Sequence, residues 1–195
     1  VVVPGIVASA ARVAGLVDDL EVRFLGNRDE HLHFALLTDF ADADQPSLPG
    51  DEQILEEART RINVLNTRYG PGRFFLFHRE RRWNASEGRW MGWERKRGKL
   101  VEFNKLLRGG TGTSFVLSHG DLSALSSVRY VITLDSDTQL PIDAASRMVG
   151  TLSHPLNVAR FDPAVRRVVE GYGVLQPSVG VDLVSANRSV FARIF

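Results

Sequence analysis

Tyr130-Val131-Ile132-Thr133-Leu134 is apolar on nearly every residue and runs straight into Asp135-Ser136-Asp137. A strand that lacks polar alternation is one covered on both faces, as in the middle of a parallel sheet. That run therefore predicts a central strand with two carboxylates at its carboxyl end. It constrains the remainder of the chain to supply flanking strands and two covering layers of helices.

The remainder has that form. Val1 to Val3 reads as a buried strand, and a helix over 9–25 follows with Val13, Leu16, Val17 and Leu20 on one stripe. Residues 32–38 form a second strand ending at Asp39-Phe40-Ala41-Asp42, with a Pro/Gly/Asp loop to Gly50. The clearest helix is 51–68, where Ile54, Leu55, Ala58, Ile62 and Leu65 share a face and Gly70 lies just past the end. Phe74 to Phe77 is a third strand. Residues 78–93 read as a hairpin or ordered loop turning at Glu87-Gly88, and 94–107 as a helix with Leu100, Phe103 and Leu107 inward. A short strand at Phe115–Leu117 and a single turn at Leu122–Leu125 precede the central run. Pro141 then opens a helix to about Leu152, as Pro does at a first helical position, with Asp143 in its first turn. Val165 to Leu175 contains another strand, ending at Gln176-Pro177, and Ser185 caps a final helix. The expected class is α/β, a mostly parallel sheet flanked by helices in one domain over 1–195. In such sheets ligands sit at the carboxyl ends of the strands, where Asp39, Asp135 and Asp137 all fall.

Composition narrows the function classes. The 195 residues are 44% hydrophobic and 24% charged, so the chain has a real core, and its net charge of +1 gives it no bulk preference for nucleic acid. The absence of Cys excludes disulfides and thiolate metal sites and suits a reducing compartment. No apolar run approaches the roughly 20 residues that cross a bilayer, and no signal peptide is visible. The opening on a core strand and the close in half-apolar Phe191–Phe195 read as the ends of a piece of a longer protein, incomplete at its C-terminus, with the final helix a sticky surface.

Two carboxylates at i and i+2 of an extended segment face the same side and repel each other unless a cation lies between them. Oxygen-only ligands favour Mg²⁺ or Mn²⁺, so Asp135 and Asp137 are candidate metal ligands for a diphosphate site. Alternatively the motif only caps the next helix. A phosphatase of the haloacid dehalogenase type is a rival, but Gln139 occupies the slot where that pattern has Thr or Val. Asp39, with Asp42 as fallback, can accept hydrogen bonds from a base or ribose, or can simply open a loop. From Asp18 to Glu57 there are 12 acidic residues against Arg23 and Arg28, and from Arg79 to Arg108 10 basic against 4 acidic. Such blocks are solvated faces or a wall facing an anion. Cations at a helix start, as in Glu94-Arg95-Lys96-Arg97-Gly98-Lys99, oppose the helix dipole unless an anion binds there. Trp83, Trp90 and Trp93 are a packed hairpin, a sugar-stacking platform or a single-stranded nucleic-acid surface. His31-x-His33 reads as a strand start and Gly109–Gly112 as a linker.

Taken in order, these motifs resemble the family-2 glycosyltransferases with a GT-A fold. Val-Val-Val-Pro opens that domain, as Val1–Pro4 does here, and Pro4 is placed beside the donor. The resemblance implies uridine contact by Asp39, nucleotide contact by Lys96 and Lys99 in Lys96-Arg97-Gly98-Lys99-Leu100, and Asp135 and Asp137 as the metal-binding pair. It also implies an acceptor-side role for Gln176 in Val174-Leu175-Gln176-Pro177. Four further stretches look like the members of that group that build β-1,2-glucan. They are Glu21–Leu25, His33–Phe40, Trp90–Leu100 and Ser185–Ser189. From that likeness follow UDP-glucose as donor, a growing β-1,2-glucan as acceptor, inversion at the anomeric carbon, and Mg²⁺ or Mn²⁺. It further implies a multi-domain parent in the bacterial inner membrane, with this part and no transmembrane segment of its own facing the cytosol. The family's later Glu-Asp base and Gln-x-x-Arg-Trp motif have no counterpart here, so the chain alone is expected to bind donor without turning over. A non-catalytic polysaccharide- or nucleic-acid-binding module using residues 79–108 is the alternative.

Overall fold

A computed structural model describes residues 1–178 and Gly180. They fall into two compact units, Val1–Ser146 and the residues from Arg147 onward. The predicted cap at Ser185 and the final helix lie outside the described residues.

The first unit is built on a four-stranded sheet ordered β1-β2-β3-β6, from Val2–Val7, Phe34–Phe40, Phe74–Arg79 and Phe115–His119. β1, β2 and β3 run parallel and β6 antiparallel, so the expected mostly parallel α/β sheet flanked by helices is present. The period-2 geometry of a strand sends alternate residues to opposite faces. Val3, Leu36 and Leu76 join one core cluster with the stripes of α1 (Ala10–Gly26) and α2 (Asp51–Tyr69). Val2, Leu37 and Phe77 join the other, with Phe103 of α3 (Arg95–Leu107) and Leu125 of the 3₁₀ turn Leu122–Leu125. Each fully buried side chain of this size contributes roughly 1.5–3 kcal/mol, so both faces are committed.

Local signals set the element ends. Ser9 accepts from the Arg12 amide at 3.2 Å and caps α1. Gly50, at φ 95°, turns the chain into α2, where Asp51 accepts from the Leu48 amide at 2.8 Å. The Trp-rich segment is a hairpin of β4 (Arg82–Asn84) and β5 (Arg89–Met91).

Three expectations are corrected. Tyr130–Leu134 is not a central buried strand. It touches β1 through a single parallel bridge, Val2 to Thr133, on the side away from β2, and Val131, Ile132 and Leu134 are only half-buried. Its apolar residues cover one sheet edge, because among the described residues no strand pairs with its other side. Second, Asp135-Ser136-Asp137 is not extended. The Thr138 amide donates to the Asp135 carbonyl at 3.0 Å and closes a tight turn, so turn geometry, not strand alternation, places the two carboxylates near each other. Third, Pro141 does not open α4, which runs Ala144–Ser153. Asp143 has φ 59° and donates its amide to Gly26 O at 3.0 Å, so the helix starts only beyond it.

In the second unit, β7 (Arg160–Asp162) and β8 (Arg167–Glu170) pair antiparallel, and β8 is exposed along its length. The strand expected in Val165–Leu175 is this short one. Among the described residues no helix is long and apolar enough to cross a membrane.

Candidate functional site

Asp39 lies inside β2, one residue before its end, and is 4% exposed. Its partner is Arg79 at the end of β3, wholly buried, which donates from Nε and Nη2 to the two Asp39 oxygens at 2.8 and 2.9 Å. The remaining Arg79 N–H groups reach Trp93 O at 3.0 Å, Arg95 O at 3.0 Å and Glu102 Oε2 at 3.2 Å. All five guanidinium donors are thus used. Lys99 of α3 adds a second buried cation, 3.1 Å from Asp39 Oδ2 and donating to Gly5 O at 2.7 Å. Burial pulls the Lys99 pKa below its usual value despite the pull of Asp39. For Arg79 burial acts the same way, but Asp39 and Glu102 outweigh it and raise the pKa. This network ties β1, β2, β3 and the start of α3 into one block.

Two glycines make room for it. A Cβ at Gly92 would lie 2.4 Å from Asp39 Oδ2, and one at Gly98 would lie 1.9 Å from Trp93 O. The Gly in the Lys96-Arg97-Gly98-Lys99 segment is therefore a packing requirement.

Asp42 is placed differently. It is half-buried and pairs with Arg95 Nη2 at 2.8 Å, which also holds Glu87 at 2.8 Å. Ala43 and Trp90 exchange two backbone hydrogen bonds of 2.9 Å, pinning this loop to the hairpin. A second buried pair, Arg81 with Asp51 at 2.5 Å, anchors the loop's other end. Trp83 and Trp90 pack at 5.9 Å between ring centroids, while Trp83 and Trp93 stay 54% and 47% exposed.

The Asp135 turn meets α3 directly. The Lys96 ammonium, in the first turn of that helix, is ion-paired with Asp135 Oδ1. No side chain caps α3, whose cap residue Glu94 sits at φ 50°; the Arg95 amide donates to Gly92 O at 3.1 Å, which leaves the Lys96 and Arg97 amides open to an acceptor among the described residues. Lys96 and Asp135 thus come together as the motifs suggested. Lys99 joins Asp39, Pro4 lies buried in β1 beside Leu37 of β2, and Gln176 is exposed in irregular chain of the second unit. His31 is exposed, whereas His33 Nδ1 lies 2.7 Å from Gly72 O, in keeping with a structural strand start.

No local sequence signal marks Arg79, Glu102 or Arg23 as site residues. Arg23, 5% exposed on α1, donates to Ser136 O at 2.9 Å and to Thr138 O at 3.0 and 2.8 Å. It is one of two cations in an acidic stretch, and its partners lie over a hundred residues away.

The donor set can be tested against a divalent ion. Asp135 and Asp137 are exposed carboxylates on one turn, and an ammonium already stands against one of them. Among the described residues no three His, Cys, Asp or Glu gather around a metal position. Two carboxylates fit Mg²⁺ or Mn²⁺, which fill their shells with water and substrate phosphates.

His78 of β3 is fully buried, with Nδ1 2.9 Å from Thr38 Oγ1 and no partner for Nε2 among the described residues. Burial pushes its pKa down to about 4. The unfolded chain, with His near 6.5, therefore binds the extra proton between those values. Stability is expected to be complete above about pH 6.5 and to fall by on the order of 3 kcal/mol as pH drops towards 4. Urea unfolding across that range checks it, with His78→Gln flattening the profile.

No protein-family model matches the chain. Over its whole length it is 47% identical, across 199 aligned residues, to the cyclic beta-(1,2)-glucan synthase NdvB of Rhizobium meliloti (strain 1021). The chain spans 7% of that relative's length. It is homologous to one stretch of a glucan synthase.

Proposed function

From this whole-length homology to a stretch of a glucan synthase, we propose that the first unit is the donor-binding part of a GT-A glycosyltransferase domain using UDP-glucose. The observation that carries the reading is the meeting of Lys96, at the uncapped start of α3, with Asp135 on the Asp-Ser-Asp turn. One helix terminus without a side-chain cap, one exposed ammonium and two solvent-facing carboxylates suit a diphosphate held with a cation.

Asp135 and Asp137 would hold Mg²⁺ or Mn²⁺, which when bound supplies Lewis-acid neutralisation of the diphosphate leaving group. The Lys96 side chain and the amides of Lys96 and Arg97 bind and orient the phosphates. Asp42, whose pairing with Arg95 is solvent-exposed and exchangeable, reads the ribose or base. Asp39 and Lys99 support it from beneath, since their polar atoms are committed to Arg79 and Gly5. Gln176 is assigned to the acceptor side, where a growing β-1,2-glucan would attack with inversion. That attack requires a base to take the acceptor proton, and none of the carboxylates above is free for it. The chain alone is therefore assigned donor binding without transfer, with base and acceptor groups supplied by other parts of a larger, inner-membrane synthase whose cytosolic face carries this domain.

Isothermal titration of UDP-glucose with and without Mn²⁺ tests this. Binding is expected to need the ion, to disappear in Asp137→Ala, and to release no free UDP over hours with glucan present. Ion-independent binding, or unchanged binding in the variant, would overturn the reading. The exposed Trp83 and Trp93 favour one second reading, a glucan-binding surface; polymer binding indifferent to UDP would support it.

A further inference from the structure

Of the three buried arginines in the first unit, Arg79 and Arg23 are used in contrasting ways. Arg79 satisfies every N–H, three of them on the carboxylates of Asp39 and Glu102 and two on the carbonyls of Trp93 and Arg95. Arg23 spends three hydrogen bonds on main-chain oxygens of Ser136 and Thr138, and its Nη1 is buried with no acceptor among the described residues. An unsatisfied buried donor keeps its full desolvation cost, so Arg23 is a poor solution if filling space is its only task. Apolar residues of similar volume replace buried charges at little or no cost.

The surroundings say what it holds. Arg12, on the same stripe of α1, donates to Ser136 Oγ at 3.3 Å. One turn beyond Arg23, Asn27 donates to Pro141 O at 3.1 Å and accepts from the Ala145 amide at 3.0 Å. One face of α1 is thus a template for residues 136–145. Arg23 grips the main chain of the turn bearing the two carboxylates, at both Ser136 and Thr138, on either side of Asp137.

We propose that Arg23 is the positioning residue of the Asp135-Ser136-Asp137 turn, fixing the main chain so that both carboxylates stay available to one divalent ion. The proposal rests on the donor-site reading above and goes beyond it. Positioning and simple electrostatics predict opposite signs. A cation next to the turn repels a metal ion, so its removal should tighten metal binding if charge alone matters. If Arg23 sets the geometry, removal must weaken binding.

The test uses the whole chain with Arg23→Lys, Arg23→Met and Asn27→Ala. Mn²⁺ affinity in the presence of UDP is read from the EPR signal of free Mn²⁺, and thermal unfolding is followed in parallel. Both Arg23 variants are expected to bind Mn²⁺ about tenfold or more weakly, the usual consequence of losing a group that orients a ligand. Asn27→Ala lowers the melting temperature but leaves the affinity within about twofold, since it touches the chain beyond the turn. Unchanged or tighter binding in the Arg23 variants overturns the proposal. The lysine variant keeps the charge and most of the stem, and so remains informative if the methionine variant does not fold. Amide exchange at Thr138 reads the grip without any ligand and should quicken about tenfold in both variants. Failure of the wild-type chain to bind Mn²⁺ with UDP would remove the donor-site reading. Exchange at Thr138 would still decide whether Arg23 holds the turn, and unaltered exchange would sink the proposal by itself.

Discussion

Asp39→Ala is expected to lower stability by about 3–5 kcal/mol, the usual cost of removing one partner from a buried ion pair. Arg79 is wholly buried and Lys99 nearly so, and both face Asp39. Without it, two desolvated cations are left near a single remaining carboxylate, Glu102. The loss should appear as a lower urea midpoint and a melting temperature lower by roughly 10 °C for a chain of this size. Asp42→Ala, three residues along, is expected to stay within about 0.5 kcal/mol of wild type. Its ion pair is solvent-exposed, and Arg95 keeps Glu87. A loss of nucleotide binding would mean different things in the two variants. In the first the block beneath the site has come apart, whereas in the second a contact has gone. Equal stability of the two variants would show that the Asp39 network does not tie the strands together.

Gly98→Ala is the second large effect, and its sign opposes helix propensity. Alanine in a helix interior is favoured over glycine by about 1 kcal/mol. At Gly98 the added methyl would lie 1.9 Å from Trp93 O and 2.9 Å from Arg79 Nη1. The nearest atom is backbone, and it is the acceptor of an Arg79 hydrogen bond. To relieve the clash α3 must move away from β3, separating Arg79 from Trp93 and Glu102 and carrying Lys96 off Asp135. A cost of about 3 kcal/mol or more follows, at the upper end for overpacking. Gly15→Ala in α1, where nothing lies within 4 Å of the new methyl, should gain up to about 1 kcal/mol instead. Chemical denaturation of the pair checks both signs, and a stable Gly98→Ala protein would contradict the packing described here.

Periodicity made α1 and α2 legible in the sequence because each buries a stripe against a single sheet face, and side-chain spacing records that directly. The parallel strands were legible for the same reason. Tyr130–Leu134 misled because hydrophobicity reports burial of side chains and not the number of neighbouring strands. An edge segment can be as apolar as a central one. Pro141 misled because its fixed φ suits both a helix start and the turn that precedes one, and the left-handed Asp143 decides between them. At the site, Lys96 and Asp135 were recognisable as members of motifs, but the claim on Asp39 was not. Arg79 reaches it across a parallel strand pair from 40 residues away, and nothing local in the sequence marks such a pairing. Arg23 is less visible still, since it binds carbonyls, which leave no trace in residue identity.

That choice of carbonyls has a consequence for variation. Every amino acid carries the oxygen that Arg23 grips, so the hold on the turn does not depend on what stands at 136 or 138. The Thr138 side chain is free to vary as long as it fits the turn, and Ser136 gives up only its bond from Arg12, while Arg23 is not free to vary if the turn is to keep its shape. On the proposed reading the segment separates its chemistry, written in two side chains, from its shape, which is held from a distant helix. A substitution map of this region would show tolerance alternating with strict constraint, residue by residue, and its most restrictive position outside the turn would be on α1.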